Sequence, residues 1–327
     1  KIAPSIIRVI FYMLTNTEAC VNFNGFKGQF WRVGSGVRQG GILSPLLFNL
    51  YLNEVLENIS KINVGCFLAN RPVNIMCYAD DIILCAPSKN GLQFLIDETC
   101  KILDANNLPL NDKSEYIIFK HRQVNHIKYS IMIKGITFEN IKETKYLGAI
   151  LSSDFKIHKD VDRSCFSFLK QFNAVFHKFS FLSRDVIAFL VQSYCMSLYG
   201  CDLWYDYKNI RVFHGFAVAY HKALKRLAGL APWDSNHRAC EILNFPIFIH
   251  NVNNRLISYL FSLVHSKSPC LVTLRYYLRY SSFFMSNVSN IFRNQYGVIN
   301  ILQNDLAALK SRIDFVQRNE ERSFYVP

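Results

Sequence analysis

Between Val73 and Cys85 the chain is apolar apart from Asn74 and two adjacent carboxylates, Asp80 and Asp81. Such a run can bury a strand on each side only if the charged pair stands at the turn between them, because a buried, unpaired carboxylate is very costly. The pattern therefore predicts a β-hairpin turning at Ala79-Asp80-Asp81, with the acids held out on a rigid support. Paired carboxylates in that position suit a divalent cation, since Mg²⁺ takes oxygen ligands and shares them with substrate phosphates. Aspartate is also an ordinary turn residue, and on the pair alone a polar turn is the simpler reading.

The segments around the hairpin alternate between helix and strand. Pro4 to Leu14 reads as a short amphipathic helix. Strands Ala19–Phe23 and Gln29–Val33 flank Asn24-Gly25, a pair that favours a tight hairpin turn. Gly34, Gly36, Gly40 and Gly41 make a loop where backbone can approach a ligand closely. That loop matches neither G-x-x-x-x-G-K-[ST] nor G-x-G-x-x-G, and a flexible turn into a helix explains the glycines equally well. Arg38 and Gln39 place a phosphate-binding cation and an amide on it. Ser44-Pro45 then reads as an N-cap followed by a proline in the first turn. The helix behind it, Leu46 to Ile59, is polar only along Asn49, Asn53, Glu54, Glu57 and Asn58, and is expected to be buried on most of its surface.

Asn90 to Asn107 has helical apolar spacing, and Leu110 to Phe119 reads as a strand entered through Asn111-Asp112-Lys113. Tyr129–Ile133 and Ile136–Phe138 suggest a hairpin around Lys134-Gly135, and Tyr146–Leu151 a further strand. Near 152–156 the period changes. Ile157, Val161, Cys165, Phe168, Phe172, Val175, Phe176 and Phe179 keep helical spacing, and helices are expected from there to the end. Two regions follow, 1–154 and 155–327.

Charge divides the same way. Residues 1–154 hold 16 Lys/Arg against 13 Asp/Glu, and residues 155–327 hold 21 against 11, so the excess is +3 and then +10. A basic, aromatic-rich second region fits a polyanion such as nucleic acid, although a basic surface alone is a weak pointer. None of the ten cysteines falls in a C-x-x-C pair. Cys77 and Cys85 sit in the apolar strand pattern, Cys100 and Cys165 on helical faces, which reads as core thiols of a reducing compartment rather than a zinc site. No uncharged apolar stretch reaches the ~20 residues of a spanning helix; Phe181 to Trp204 is interrupted by Arg184 and Asp185. The start carries no signal-peptide pattern.

Taken together, the motifs are more specific than any one of them. Gly36-Val37-Arg38-Gln39-Gly40-Gly41-Ile42-Leu43-Ser44-Pro45, followed by Leu46-Leu47-Phe48, resembles the template- and nucleotide-positioning motif of reverse transcriptases from non-LTR (LINE-type) retrotransposons. Tyr78-Ala79-Asp80-Asp81 resembles the family's catalytic turn, Leu110-Asn111-Asp112-Lys113-Ser114 its next element, and Tyr146-Leu147-Gly148 the strand after that. Tyr199-Gly200-Cys201-Asp202-Leu203-Trp204 resembles a thumb segment. Order and spacing agree over roughly 4–204.

The resemblance implies an α+β fold: part of a polymerase palm, an antiparallel sheet with packed helices, over 1–154, then an all-helical, basic thumb and C-terminal region over 155–327. It implies an RNA-directed DNA polymerase working by two-metal nucleotidyl transfer. The RNA template, DNA primer and deoxynucleotide triphosphates would be its partners, with no membrane involved. Asp80 and Asp81 would be the catalytic, Mg²⁺-binding pair. Lys113 would protonate the leaving pyrophosphate, Tyr78 would pack near the primer end, and Arg38, Gln39 and Gly40 would contact template or nucleotide. Work of this kind places the protein in the nucleus or cytoplasm.

The sequence departs from the family at one point. The family's palm carries an earlier metal-binding aspartate, whereas the first aspartate here is Asp80. A start at Lys1 within helix-like sequence reads as a cut through a larger protein. The expectations that follow are a two-cation site short of one ligand, no useful polymerase activity from this chain alone, and poor solubility where apolar surface loses its cover. The alternative is a non-catalytic nucleic-acid-binding remnant of a transposon that uses the basic helices 155–327.

Overall fold

The computed structural model describes residues 2–68, 71–108, 110, 113–119, 130–204 and 210–266. The chain forms two compact units, residues 1–112 and 113–327. Helices and small antiparallel sheets make it an α+β protein.

The first unit opens with α1 (Pro4–Thr15), whose C-terminal carbonyls are satisfied by Asn16, Thr17 and Arg32; the Arg32 guanidinium donates to Thr15 O at 2.9 Å. β1 (Glu18–Ala19) pairs with β4 (Trp31–Arg32), and β2 (Asn22–Phe23) with β3 (Phe26–Lys27) across Asn24-Gly25. The expected hairpin is present, its ladder interrupted midway. α1 buries none of its residues, and Phe23, Phe26 and Trp31 are exposed.

α2 runs Ser44–Ser60 and α3 Lys89–Ala105, close to the sequence reading. Ser88 caps α3 by accepting from Gly91 N at 3.1 Å. α2 differs from expectation in two respects. Ser44 is not its cap but lies inside the first turn, where its hydroxyl donates to Arg38 O at 2.5 Å. Nor is the helix mostly buried: Leu52, Val55 and Ile59 are, while Leu46, Leu50 and Tyr51 are exposed. Only one stripe meets α3 and the strands; apolar content alone does not say how many neighbours a helix has.

β5 (Phe67–Leu68) pairs with β6 (Arg71–Pro72), and β7 (Ile75–Tyr78) with β8 (Asp81–Leu84). The core of this unit gathers Leu52, Val55 and Ile59 of α2 with Leu95 and Leu103 of α3, and packs Ile75, Cys77, Ile82 and Leu84 against them. Asn74, 1% exposed, donates to the carbonyls of Ile62 and Val64 at 3.1 and 3.2 Å and so ties the end of α2 to the hairpin.

In the second unit, β9 (Ser130–Ile133) and β10 (Ile136–Glu139) form the expected hairpin over Lys134-Gly135; Tyr129 lies outside the described residues. The strand expected over Leu110–Phe119 is not seen among its described residues. A single parallel bridge, Ile117 to Ile141, is all that forms there, and Asn111 and Asp112 fall outside the description. Tyr146–Leu151 is not one strand either. β11 (Glu143–Tyr146) turns at Leu147-Gly148 into β12 (Ala149–Ser152). Both turn residues have positive φ, 45° and 84°, the conformation of a two-residue hairpin turn. A Cβ on Gly148 would also stand 3.2 Å from the Tyr199 ring. The antiparallel pairing expected of one sheet is thus divided, among the described residues, into six two-stranded ladders.

α4 (His158–Lys178), α5 (Arg184–Cys195), α6 (Ile210–Ala228), α7 (Asn236–Leu243) and α8 (Phe248–His265) complete the unit. Every apolar position expected on the face of α4 is buried or packs against the cluster formed with Val191, Trp204, Phe216, Tyr220, Leu224 and Phe248. The change of composition near 152–156 lies inside this unit, because β12 is fastened to α4. Asp160, 3% exposed, accepts from Ile150 N at 2.9 Å, Arg163 Nε at 2.7 Å and Trp204 Nε1 at 2.8 Å. Burial raises the Cys195 and Cys240 thiols to about 11 and Cys201 to about 12, so all three stay protonated. No helix among the described residues is long and apolar enough to cross a membrane.

Two outcomes are expected. Asp160→Ala strands the buried Trp204 and Ile150 donors and an arginine, and should cost about 3–5 kcal/mol, read as earlier denaturant unfolding by the fluorescence of buried Trp204. The second concerns His221, 8% exposed with no partner on Nε2. Burial, then the nearby Lys225 and His237 charges, hold its pKa below the usual 6.5, against a backbone hydrogen bond that acts the other way. The folded chain binds that proton less readily than the unfolded chain, so this stability is complete above pH 6.5 and is lost as pH falls toward the folded value. Melting temperatures measured from pH 7.5 downward should fall less steeply in His221→Phe.

Candidate active site

The register of β7 and β8 decides where the acids point. Ile75 pairs with Leu84 and Cys77 with Ile82 on the face that enters the core; Met76 pairs with Ile83 and Tyr78 with Asp81 on the other. Tyr78, Asp80 and Asp81 are consequently all exposed. Ala79 opens the turn with φ 53°, a conformation that costs a residue with a Cβ about 1–2 kcal/mol. The Cys77 thiol donates to Ala79 O at 3.1 Å and holds that carbonyl in place.

The loop bearing Arg38, Gln39 and Gly40 is closed on itself. Arg38 O accepts from Gly41 N at 3.1 Å as well as from the Ser44 hydroxyl. A Cβ on Gly41 would fall 2.6 Å from Ser44 Oγ and 3.1 Å from Arg38 O, so this closure requires glycine. With the backbone oxygen engaged inward, the Arg38, Gln39 and Gly40 positions are exposed on the loop. Lys113 is exposed in a turn at the start of the second unit. Six of the seven candidate positions thus belong to the first unit and one to the second.

Asp80 and Asp81 are hard oxygen donors of the kind Mg²⁺ takes. Among the described residues no group of three or more His, Cys, Asp or Glu side chains gathers to hold a metal ion. The pair fits a share in a cation site.

Residues 3–151 match the reverse transcriptase (RNA-dependent DNA polymerase) family. The Pol polyprotein of the type-2 retrotransposable element R2DM of Drosophila melanogaster is 35% identical over 91 residues, 28% of this chain and 8% of that protein. The Pol polyprotein of the R2 element of Nasonia vitripennis is 34% identical over 153 residues, 44% of this chain and 15% of its own length. That of Popillia japonica is 28% identical over 153 residues and is covered to 25%. Over residues 3–151 this chain resembles the reverse transcriptases of non-LTR retrotransposons. It spans no more than a quarter of the length of these curated relatives.

Two residues that sequence reasoning left without a role stand beside the acidic turn in this domain. Asn74 anchors the base of its hairpin, and its one signal was being the sole amide in an apolar run. Cys77 lies under the turn; burial first, then the charges of Asp80 and Asp81, push its thiol up. The thiol therefore reports on the carboxylates. Neutralising them, by Asp80→Asn with Asp81→Asn or by Mg²⁺ bound to the pair, should speed Cys77 alkylation at pH 8. Peptide mapping after timed iodoacetamide treatment checks this, and a rate indifferent to both changes would separate Cys77 from the acids.

Proposed function

We propose that the chain is the palm part, followed by the helical thumb and C-terminal region, of the RNA-directed DNA polymerase of a non-LTR retrotransposon, working by two-metal nucleotidyl transfer, with 1–154 and 155–327 as the two regions. The observation that carries this reading is the exposed Tyr78-Ala79-Asp80-Asp81 tip, set on a hairpin whose other face is core, within a reverse transcriptase domain. Asp80 and Asp81 would hold Mg²⁺. Bound there, the cation would supply charge stabilisation to a triphosphate and its leaving group.

The chain's own residues would do the rest. The Arg38 guanidinium would take a phosphate, and Gln39 and the backbone at Gly40 would position template or incoming nucleotide. Tyr78 would pack against the primer end beside Asp81. Lys113 would hold the proton delivered to the leaving pyrophosphate oxygen. Deoxynucleotide triphosphates, RNA template and DNA primer are the substrates on this reading, and the work is done in the nucleus or cytoplasm.

The helical region supports a grip on the duplex. α4 and α6 border an open groove of about 430 Å³ lined by Leu169, Phe172, Val218, Lys222 and Arg226 among others. Arg226 lies over the Phe176 ring, 4.3 Å from its centroid, and donates to Asn173 at 3.4 Å. A cation held in place on an apolar floor suits phosphate contacts that position a duplex without reading its sequence.

A second reading, a nucleic-acid-binding remnant without catalysis, draws on the same basic helices and on the two-carboxylate count at the turn. Primer extension on an RNA template with Mg²⁺ separates the two. This chain alone is expected to bind primer–template without extending it. A version carrying its own upstream coding sequence should extend it, and Asp80→Asn should abolish that activity. Binding kept by residues 155–327, with extension by neither version, would favour the remnant. Robust extension by this chain alone would overturn the claim that the site is incomplete.

A further inference from the structure

The turn between α6 and α7 offers a large aromatic ring to solvent. Trp233 is 86% exposed, whereas Trp204 is fully buried. The ring does not sit on a loose loop. Leu230 N donates to Lys225 O at 2.9 Å, Asp234 N to Ala231 O at 3.1 Å, and Ala231 N to the Asp234 carboxylate at 2.7 Å. The Lys225 ammonium donates to Pro232 O at 2.9 Å, and Arg184 donates to Ala228 O at 2.8 Å where α6 ends. Pro232 restricts its own φ. The backbone that carries the ring is thus fixed in advance, and a ligand meeting it loses little by ordering the turn.

The helical stretch that contains the turn holds more cations than carboxylates. From 210 to 266 the cations are Arg211, Lys222, Lys225, Arg226, Arg238 and Arg255, and the carboxylates are Asp234 and Glu241. Asp234 is engaged by the Ala231 N–H and lies 4.0 Å from Arg238. Lys225 keeps donors to spare after its bond to Pro232 O, since an ammonium has three. A flat π-face beside a fixed ammonium is the pairing that takes an unpaired nucleotide: the base stacks and the cation meets a phosphate. An acidic protein surface would satisfy the cations and leave the indole face without a planar partner. An apolar surface would cover the indole and strand the cations.

We propose that this turn is a binding site for an unpaired nucleotide of single-stranded nucleic acid, with Trp233 as the stacking platform and Lys225 as the phosphate contact. The proposal rests on the reading of the chain as a nucleic-acid enzyme and adds to it a site for strand that lies outside the duplex.

The test uses the whole chain with unstructured oligo(rU) and oligo(dT) and a blunt RNA–DNA duplex as probes. Fluorescence anisotropy gives the affinities and tryptophan quenching reports contact with the ring. Trp233→Leu should weaken single-strand binding at least about tenfold and remove most of the quenching. Trp233→Phe should keep most of the affinity, and duplex binding should be unchanged in both variants. Because Trp233 lies outside the core, far-UV circular dichroism of both variants should match the parent. Single-strand affinity unchanged in Trp233→Leu, or an equal loss on duplex, overturns the proposal and leaves the polymerase reading standing. Failure of the parent chain to bind any of the probes overturns both.

Discussion

A single buried carboxylate holds the second unit to its fold. The Asp160 side chain is 4% exposed, and the cost of removing its charge from water is offset by three donors from three separate segments. One is the backbone of β12, one an arginine a turn along α4, and one the indole of Trp204. Arg163 reaches on to Tyr199 O at 3.1 Å, and the Tyr199 ring lies against Gly148. The Tyr-Leu-Gly and Tyr-Gly…Trp elements, far apart in the chain, are therefore two sides of one knot around Asp160. Glycine at 148 keeps the hairpin turn close to that knot, and glycine at 200, with φ 86°, brings the chain back beside the same carboxylate.

The first unit rests on a simpler constraint, the two-residue period of a strand. The alternation that sends Ile75, Cys77, Ile82 and Leu84 into the core leaves Tyr78 and Asp81 on the opposite face, with Asp80 at the tip. A one-residue slip would bury the acid and expose the core residues, so the register is strongly specified. The same unit leaves much apolar surface in water, on α1, on the hairpin aromatics and on the outer side of α2. Apolar exposure of that extent is characteristic of surface that meets a partner or another part of a protein. The relatives matched within residues 3–151 are several times longer than the matched part.

Much of this was legible where the interactions are local. The Asn24-Gly25 and Lys134-Gly135 turns, the boundaries of α3 and the helical face of α4 all follow from residues within a few positions of one another. The turn at Leu147-Gly148 was not legible, because leucine is rarely found with positive φ and the turn depends on contacts with Tyr199 and Asp160. The place of Ser44 inside the first turn of α2 was not legible either, because its partner, Arg38 O, lies across a loop rather than in the following helical turn. The burial of α2 depends on what packs beside it, and composition counts no neighbours. Cys77 and Asn74 gained roles only when the hairpin placed one under the acids and the other at its base.

The sequence by itself determined the hairpin with its acidic tip, the glycine loop that closes before α2, the order of motifs that marks a reverse transcriptase, and the uneven charge. Each of these is written in neighbouring residues and needs only backbone geometry and the cost of burying charge. The tertiary structure alone decided that Asp160 joins three segments, that β12 belongs with the helices beyond it, and that Trp233 stands in a turn held by Lys225 and Asp234. Those outcomes depend on groups brought together from distant parts of the chain, where no local period or propensity carries a record of the partner.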